Sequence, residues 1–346
     1  MRWLVLAGLV GCYSPTVHPG APCGTGGVCP GDLTCSAQNT CEPAGNSGVV
    51  DAAADSSAVS DAPGLDACTT CNAPLNDLPG GAIDVSAGGD FTADLTYAHD
   101  DAAKPNTGTN ICGAAGGLDV FYKLNLAADE VVYLDTFGSD FDTVIRVFRG
   151  ACTGGAAPNG VVCHDNANNC NSMQTVWLNT MKAGDNCIVV DGLDGTQTGH
   201  SLKLRVERGH RNGGLVTPSG VIGGPVTYMF SNDTTNAGNT EDGSCAQHGS
   251  PDQGYAFSLC PGETRTVGAT TCNAATAATA WDTALWARGP GGELACQDDD
   301  GAACVQGGGF STISFSASDN HLFWVIVDGA GGTPDRGAYE VDLNFQ

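Results

Sequence analysis

Residues 142–192 carry, in order, the segments Asp142-Thr143-Val144-Ile145, Cys163-His164-Asp165 and Ile188-Val189-Val190-Asp191-Gly192. A second copy follows as Asp282-Thr283-Ala284-Leu285, Cys296-Gln297-Asp298 and Val325-Ile326-Val327-Asp328-Gly329. Because order, spacing and chemistry match, the chain is predicted to contain one structural unit twice. Each unit is long enough to bury a core of its own. We therefore predict two domains on one plan, residues 67–212 and 213–346.

Short apolar runs alternate with turn-forming residues throughout both copies. Within the runs every second residue is apolar, as in Val120 and Tyr122 or Leu202 and Leu204. This period of two is typical of half-buried β-strands, and no stretch shows the period of a helix. The 50 glycines and the charged fraction of 15% agree with a turn-rich chain. The sequence therefore predicts an all-β fold: two tandem antiparallel jelly-roll or β-sandwich domains after a small disulfide-rich segment and a flexible linker.

The repeated motif resembles a known family. A strand that opens with Asp-Thr, a Cys-x-Asp loop and a later strand that ends in Val-Asp-Gly are similar to bacterial pre-peptidase C-terminal (PPC-like) domains. The pattern Asn76-Asp77 to Gly81-Ala82 is similar to the usual start of that family. The resemblance covers most of residues 68–346, twice. It implies small jelly-roll modules attached to exported proteins, in some members binding calcium or a polymer, and it implies no catalytic activity.

The first residues have the features of an export signal. Met1-Arg2 is positively charged and Trp3 to Val10 is apolar, a run too short to remain in a bilayer as a spanning helix. Leu9-Val10-Gly11-Cys12 resembles the lipobox of bacterial lipoproteins, which implies a signal peptide of residues 1–11 and acylation of Cys12. The non-acidic Tyr13 implies sorting to the outer membrane. The alternative is an ordinary signal peptide, with Cys12 as a structural thiol.

The N-terminal part of the mature chain is predicted to be a lipid-anchored, cysteine-rich segment followed by a linker. Within residues 12–42, four cysteines at six-residue spacing lie among glycines and prolines: Cys23, Cys29, Cys35 and Cys41. An exported segment too small for an apolar core favours disulfides, and the absence of close CxxC pairs there disfavours zinc. Residues 43–66 are small, acidic and free of aromatic side chains, which predicts a flexible tether.

The remaining cysteines predict both local and long-range disulfides. Matched positions in the two copies suggest that Cys163 pairs with Cys170 and that Cys296 pairs with Cys304, each closing one loop. From Cys68 onward the first copy holds seven cysteines and the second copy holds five. Because both numbers are odd, complete oxidation requires at least one disulfide between the two halves; otherwise each half keeps a free thiol.

Aspartates of each copy are predicted to gather at one end of its sandwich. Asp142 precedes one strand, Asp165 follows the next, and Asp191 ends a later one, so antiparallel strands place all three at the same pole. The second copy repeats the arrangement with Asp282, Asp298, Asp299 and Asp328. Crowded carboxylates repel one another unless they are hydrogen-bonded, protonated or shared by a cation, and Ca²⁺ is the expected cation outside the cell. The alternative is that each aspartate caps a turn, which requires no metal.

Two tryptophans are candidate contact residues. Alternation within their strands predicts that Val176 and Leu178 point into the sandwich while Trp177 points out; likewise Leu285 points in and Trp286 out. An outward tryptophan on a sheet can form a platform for a sugar or a peptide. The alternative is that each packs beneath a loop or against the neighbouring domain.

No catalytic motif is present, and the net charge of -25 disfavours nucleic acid as a partner. We therefore expect a non-catalytic cell-envelope lipoprotein, anchored in the membrane by its N-terminal lipid. It would present two interaction or adhesion modules, stabilised by calcium, to an extracellular protein or polysaccharide. Two alternatives stay open at this point: a secreted hydrolase whose active site the sequence does not reveal, and a purely structural spacer.

Overall fold

The computed structural model describes most of the chain from residue 73 onward and a short part of the N-terminal region. The described residues are 29, 33–35, 41–43, 73–102, 112–152, 162–210, 220–246, 249–273, 276, 281–300, 304, 309–331 and 335–346. The chain divides into two compact units, Met1–Leu65 and Asp66–Gln346. Among the described residues, no helix has the length and apolar character needed to cross a bilayer.

The first unit contains one short antiparallel hairpin, in which β1 (Leu33–Cys35) pairs with β2 (Cys41–Pro43). Cys29 and Cys35 are disulfide-bonded, in agreement with the disulfide-rich segment expected there. The predicted signal peptide, Cys12, Cys23 and the linker beyond Pro43 lie outside the described residues.

The first repeat forms two packed sheets. Its strands are β3 (Ile83–Asp84), β4 (Gly89–Asp94), β5 (Asp119–Leu126), β6 (Glu130–Asp135), β7 (Thr143–Arg149), β8 (Val162–Asp165), β9 (Val176–Met181), β10 (Gly184–Gly192) and β11 (Ser201–His210). The order is β3-β5-β10-β7-β8 in the five-stranded sheet and β4-β11-β6-β9 in the four-stranded sheet. Short 3-10 helices cover Pro79–Gly81 and Asn168–Cys170.

The second repeat has the same topology, which confirms the tandem all-β architecture. Its strands are β12 (Val221–Ile222), β13 (Val226–Asp233), β14 (Gln253–Leu259), β15 (Thr264–Thr270), β16 (Thr283–Gly289), β17 (Gly292–Gln297), β18 (Thr312–Ser318), β19 (Phe323–Gly329) and β20 (Ala338–Phe345). The sheet orders are β12-β14-β19-β16-β17 and β13-β20-β15-β18. Only the short strands β3 and β12 depart from antiparallel pairing among the described residues, because each runs parallel to its neighbour.

Each sandwich closes over its own apolar core. In the first, Ile145 and Val190 of the five-stranded sheet meet Leu134 and Leu204 of the four-stranded sheet. The second core has the same plan and is richer in aromatic rings, with Phe257 stacked on Phe323 at 5.5 Å between ring centroids. Every second residue of these strands faces the core, as the alternation in the sequence predicts.

A third apolar cluster joins the two sandwiches. The outer face of the first four-stranded sheet, with Val131 and Tyr133, packs on the outer face of the second five-stranded sheet, with Trp324 and Ile326. Polar contacts border this interface: the amide of Asn320 donates to Asp135 at 3.0 Å, and Glu207 accepts the backbone N–H of Leu322 at 2.7 Å. Strands such as β6 are therefore covered on both faces, and five of its six residues are buried.

The disulfides correct one prediction and satisfy another. Cys163 pairs with Cys112 and Cys170 with Cys260, while Cys296 pairs with Cys245 and Cys304 with Cys272. The predicted loop closures Cys163–Cys170 and Cys296–Cys304 are therefore wrong, because each cysteine faces a different neighbouring segment across its sheet or loop. The link Cys170–Cys260 is the disulfide between halves that the odd numbers require, and it crosses the interface between the sandwiches.

Matched hydroxyl groups fix the alignment of the two repeats. In the first, the Thr136 side chain contacts that of Thr143, and the Thr175 backbone N–H donates to Thr136 at 2.9 Å. In the second, Thr271 contacts Thr283, and the Ser311 backbone N–H donates to Thr271 at 3.0 Å. Thr175 therefore corresponds to Ser311, which makes Trp177 the counterpart of Ile313.

Candidate functional site

Three aspartates of the second sandwich come together at one end of the five-stranded sheet. Asp282 precedes β16, and Asp298 and Asp299 follow β17; the antiparallel pairing of Leu285 with Gln297 brings these strand ends side by side. One carboxylate oxygen from each of the three residues lies within 4.8 Å of those from the other two. This is the grouping that the sequence predicts for Asp282, Asp298 and Asp299, and we call it the second-sandwich triad.

The triad is partly shielded from solvent, and its charges repel one another. Burial, followed by the charges of Asp298, Asp299 and Asp335, raises the pKa of Asp282 to about 6. Burial and the charge of Asp299 also raise the pKa of Asp298. One side-chain oxygen each of Asp282 and Asp298 is buried without a hydrogen-bond partner among the described residues, whereas Asp299 accepts the backbone N–H of Gly309 at 2.9 Å. A cation at this position would relieve both the repulsion and the missing hydrogen bonds.

The corresponding end of the first sandwich has only part of this arrangement. Asp142 corresponds to Asp282, and burial together with the charges of Asp165 and Asp194 raises its pKa. Asp165 corresponds to Asp298, but Asn166 occupies the position of Asp299. Among the described residues, the first sandwich has no group of three carboxylates here with oxygens within 4.8 Å.

Asp191 and Asp328 lie one strand away and do not join these groups. Each belongs to a second, buried acidic pair. Asp191 is directly opposite Asp119 across β5 and β10, and Asp328 continues the pairing of β19 with β14 at Asp252. The prediction that Asp191 and Asp328 share a cation with the other aspartates is not supported by this placement. Asp191 and Asp328 lie at the same end of each sandwich, but on the strand next to the one that Asp142 or Asp282 precedes.

The two buried pairs differ in how their charge is balanced. In the first sandwich the Arg146 guanidinium is 2.5 Å from a carboxylate oxygen of Asp191, and both side chains are buried. Burial raises the pKa of Asp119 to about 8, and the neighbouring charge of Asp191 adds to that shift. In the second sandwich Trp286 takes the position of Arg146, and burial with the charge of Asp252 raises the pKa of Asp328 to about 8. A proton on Asp328 can replace the missing guanidinium.

A further group was missed by sequence reasoning. Asp77, His99 and Asp101 place potential ligand atoms within 4.8 Å of one another. The buried carboxylate of Asp77 accepts the His99 backbone N–H at 2.8 Å and contacts its Nδ1 at 2.8 Å, and this contact raises the pKa of His99. The sequence offered no spacing signal, because Asp77 and His99 are 22 residues apart. Asp77 positions the loop that carries His99, so a structural role accounts for the contact.

Neither predicted tryptophan platform is exposed. Trp177 faces the core of the first sandwich, and its neighbours Val176 and Leu178 face the other sandwich, which reverses the predicted orientation. Trp286 does point out of its own core, but it is 4% exposed because it lies in the interface between the sandwiches. Both predictions of a binding platform are therefore wrong; a sheet covered on both faces leaves no outer surface for a ligand.

Comparisons with known proteins identify no family for this chain. No family model matches it, and no curated protein is significantly similar to it. A solved structure of an M60 catalytic domain with CBM51-1 and CBM51-2 domains from Clostridium perfringens is 7% identical, with a TM-score of 0.20, over 66% of this chain and 34% of that one. This chain thus spans about a third of that protein.

Two other solved structures give similar values. The CUB1-EGF-CUB2 region of human MASP-1/3 is 10% identical over 74% of this chain and 99% of that one, with a TM-score of 0.19. Tripeptidyl peptidase 2 is 9% identical over 74% of this chain and 23% of that one, with a TM-score of 0.18. Similarities at this level carry no argument about function.

Proposed function

We propose that this protein is a non-catalytic, exported binding protein whose second sandwich holds Ca²⁺ at Asp282, Asp298 and Asp299. In this proposal Cys12 carries a lipid that anchors the chain at the outer membrane. The paired sandwiches are presented to an extracellular protein or polysaccharide. The observation that carries the proposal is the second-sandwich triad, in which three carboxylates converge within 4.8 Å.

The chemistry of the triad suits a hard divalent cation. Ca²⁺ takes 6–8 oxygen ligands at about 2.3–2.6 Å, so ligand oxygens around one ion lie within about 5 Å of one another. The oxygens of the triad lie within 4.8 Å of one another. The triad contains neither a cysteine nor a histidine, which disfavours zinc and copper. Because the pKa of Asp282 is about 6, its carboxylate is largely ionised at pH 7.5 and mostly protonated at pH 5.5. Calcium affinity should therefore decrease as the pH is lowered from 7.5 to 5.5.

A rigid presentation of binding loops supports the interaction role. The apolar interface, the Cys170–Cys260 disulfide and the Asn320–Asp135 hydrogen bond hold the two sandwiches as one body within the second unit. The Ser and Thr clusters donate to backbone carbonyls, as Ser311 does to Thr283, so these hydroxyls serve as structural links between strands. Loops at the ends of such a scaffold are the usual place for recognition residues.

The test is calorimetric titration of the full mature chain with CaCl₂ at pH 7.5. We expect one site with a Kd of about 0.1–1 mM, the range of extracellular calcium modules. Asp282→Asn/Asp298→Asn should abolish the heat of binding, because asparagine keeps the shape but not the charge. The matched control is Asp142→Asn/Asp165→Asn at the equivalent positions of the first sandwich, which should bind as the wild type does. Absence of binding to the wild type, or equal binding by both double variants, would refute the calcium site.

The anchor is tested separately. Cells that express the full chain with its signal should incorporate labelled palmitate into it and retain it in the outer-membrane fraction. Cys12→Ala should lose both the label and the membrane association, while Cys23→Ala keeps the label. Secretion of an unlabelled wild-type chain into the medium would contradict the lipid anchor.

A further inference from the structure

The first sandwich has a cavity of about 210 Å³ at its loop end. Leu95, Leu118 and Phe141 form its apolar floor, and Asp194, Gln197 and His200 form its polar rim. The remaining lining residues are glycines, and at Gly116, where φ is +96°, the backbone passes close to Gly195. Small-molecule sites usually exceed about 300 Å³, so this cavity suits a single side chain or one small residue of a polymer.

The second sandwich has filled the equivalent space. Phe141 and Trp281 occupy corresponding positions, each two residues before a matched threonine. His200 corresponds to Gly337, because Leu95 N–H donates to the His200 carbonyl as Thr234 N–H donates to that of Gly337.

The Trp281 indole closes the second-sandwich space. It donates to the Ala338 carbonyl at 2.9 Å, and a Cβ at Gly337 would lie 2.8 Å from its ring. The cavity is therefore a feature of the first sandwich and not a consequence of the shared fold.

The electrostatic surroundings of the cavity are negative. Asp194 lies on the rim, and its charge contributes to the raised pKa of Asp142, whose backbone N–H donates to Gln197 at 3.1 Å. A carboxylate oxygen of Asp100 accepts the N–H of Gly116, another lining residue, at 2.5 Å. The chain as a whole has a net charge of -25. A concave site with one sign of charge concentrates ligands of the opposite sign.

We infer that this cavity binds a primary ammonium group on a short apolar stem, with the stem against Leu95, Leu118 and Phe141 and the ammonium at Asp194 and Gln197. The inference rests on the proposed interaction function and names the chemical group by which the partner is recognised. The lysine side chain of a protein carries that group, with its methylene chain as the stem. An ammonium has three donors, and charged donors form stronger hydrogen bonds with a carboxylate than neutral donors do.

Binding is tested by two-dimensional NMR of the full mature chain with Nα-acetyl-lysine N-methylamide, in EDTA and again with calcium. We expect shifts of Gly116, Gly195 and His200 amides, and about tenfold weaker binding of the norleucine analogue, which has the same stem without the charge. Glucosamine, whose ammonium is attached to a hydroxylated ring without an apolar stem, should bind more weakly than the lysine amide, and equal or tighter binding of glucosamine would overturn the assignment to a protein lysine. Binding without calcium separates this inference from the calcium site, since either can fail alone.

Two variants and one control test the assignment to this cavity. Phe141→Trp introduces the residue of the second sandwich and should abolish binding by filling the space. Asp194→Asn keeps the turn that Asp194 forms with Thr196 and should weaken binding about tenfold. The matched control is Asp233→Asn, since Asp233 forms the same turn with Thr235 in the second sandwich. The affinity of this variant for the lysine amide should equal that of the wild type. Shifts outside the cavity, or equal affinity of the norleucine analogue, would overturn the inference.

Discussion

Replacing Arg146 with methionine should strongly destabilise the first sandwich. The Arg146 guanidinium lies 2.5 Å from Asp191, and the two side chains are 2% and 0% exposed. Asp119 is directly opposite Asp191 on the neighbouring strand, so removal of the guanidinium leaves two adjacent buried acids without a cation. Loss of one partner from a buried ion pair typically lowers the free energy of unfolding by about 3–5 kcal/mol.

The assay is urea unfolding at pH 7.5, followed by far-UV circular dichroism. Arg146→Met/Asp191→Asn should recover most of the loss, because the double variant removes the uncompensated charge together with the cation. Lys182→Met is the matched control: Lys182 pairs with Asp129 at 2.7 Å, but its side chain is 57% exposed. An exposed pair contributes about 0–1 kcal/mol, so the control should unfold close to the wild type.

Two results would refute this reasoning. One is a change of less than about 1 kcal/mol for Arg146→Met, which would mean that water or another group already balances Asp191. The other is additivity of the Arg146 and Asp191 substitutions, since residues in direct contact should show a coupling energy.

Three other predictions concern stability. Cys170→Ser/Cys260→Ser opens a disulfide that spans 90 residues and should lower the free energy of unfolding by about 2–5 kcal/mol, measured by calorimetry; an unchanged melting temperature would contradict it. Trp286→Ala should cost about 3–5 kcal/mol in urea unfolding, whereas an exposed binding residue would cost almost nothing. Burial raises the pKa of Asp328 to about 8, so the folded chain binds a proton that the unfolded chain releases above about pH 4. The favourable contribution of this proton to the free energy of unfolding is complete below about pH 4 and is lost as the pH rises toward 8. Asp328→Asn should flatten the decline of the unfolding midpoint between pH 5 and 8, and a parallel decline in the variant would disprove the assignment.

The duplicated sandwich could be predicted because its signals are local. Alternation in Leu202 and Leu204 marks a strand with one face on the core, and both residues are buried there. The grouping of Asp282 with Asp298 follows from strand order alone, since the end of one antiparallel strand is beside the start of the next.

The failures have identifiable physical causes. Alternation detects one covered face, so it gave the wrong direction for Trp177 in β9, a strand that is covered on both sides. Matched spacing predicts the Cys163–Cys170 pairing, but spacing carries no information about which loop crosses which strand. The cavity at Phe141 depends on how several loops meet around four glycines, and no contiguous stretch of sequence encodes that arrangement.

The contact between the sandwiches joins two unlike surfaces, the four-stranded face of one repeat and the five-stranded face of the next. A head-to-tail contact of this type leaves one unlike face free at each end, so a third copy can be added in the same way, and then a fourth. The corresponding four-stranded face of the second repeat disfavours this growth: Thr266 and Gly268 replace Val131 and Tyr133, and the exposed Ser314 and Ser316 lie beside them on the next strand. Converting those serines to large apolar residues would provide a surface on which chains could assemble into a filament.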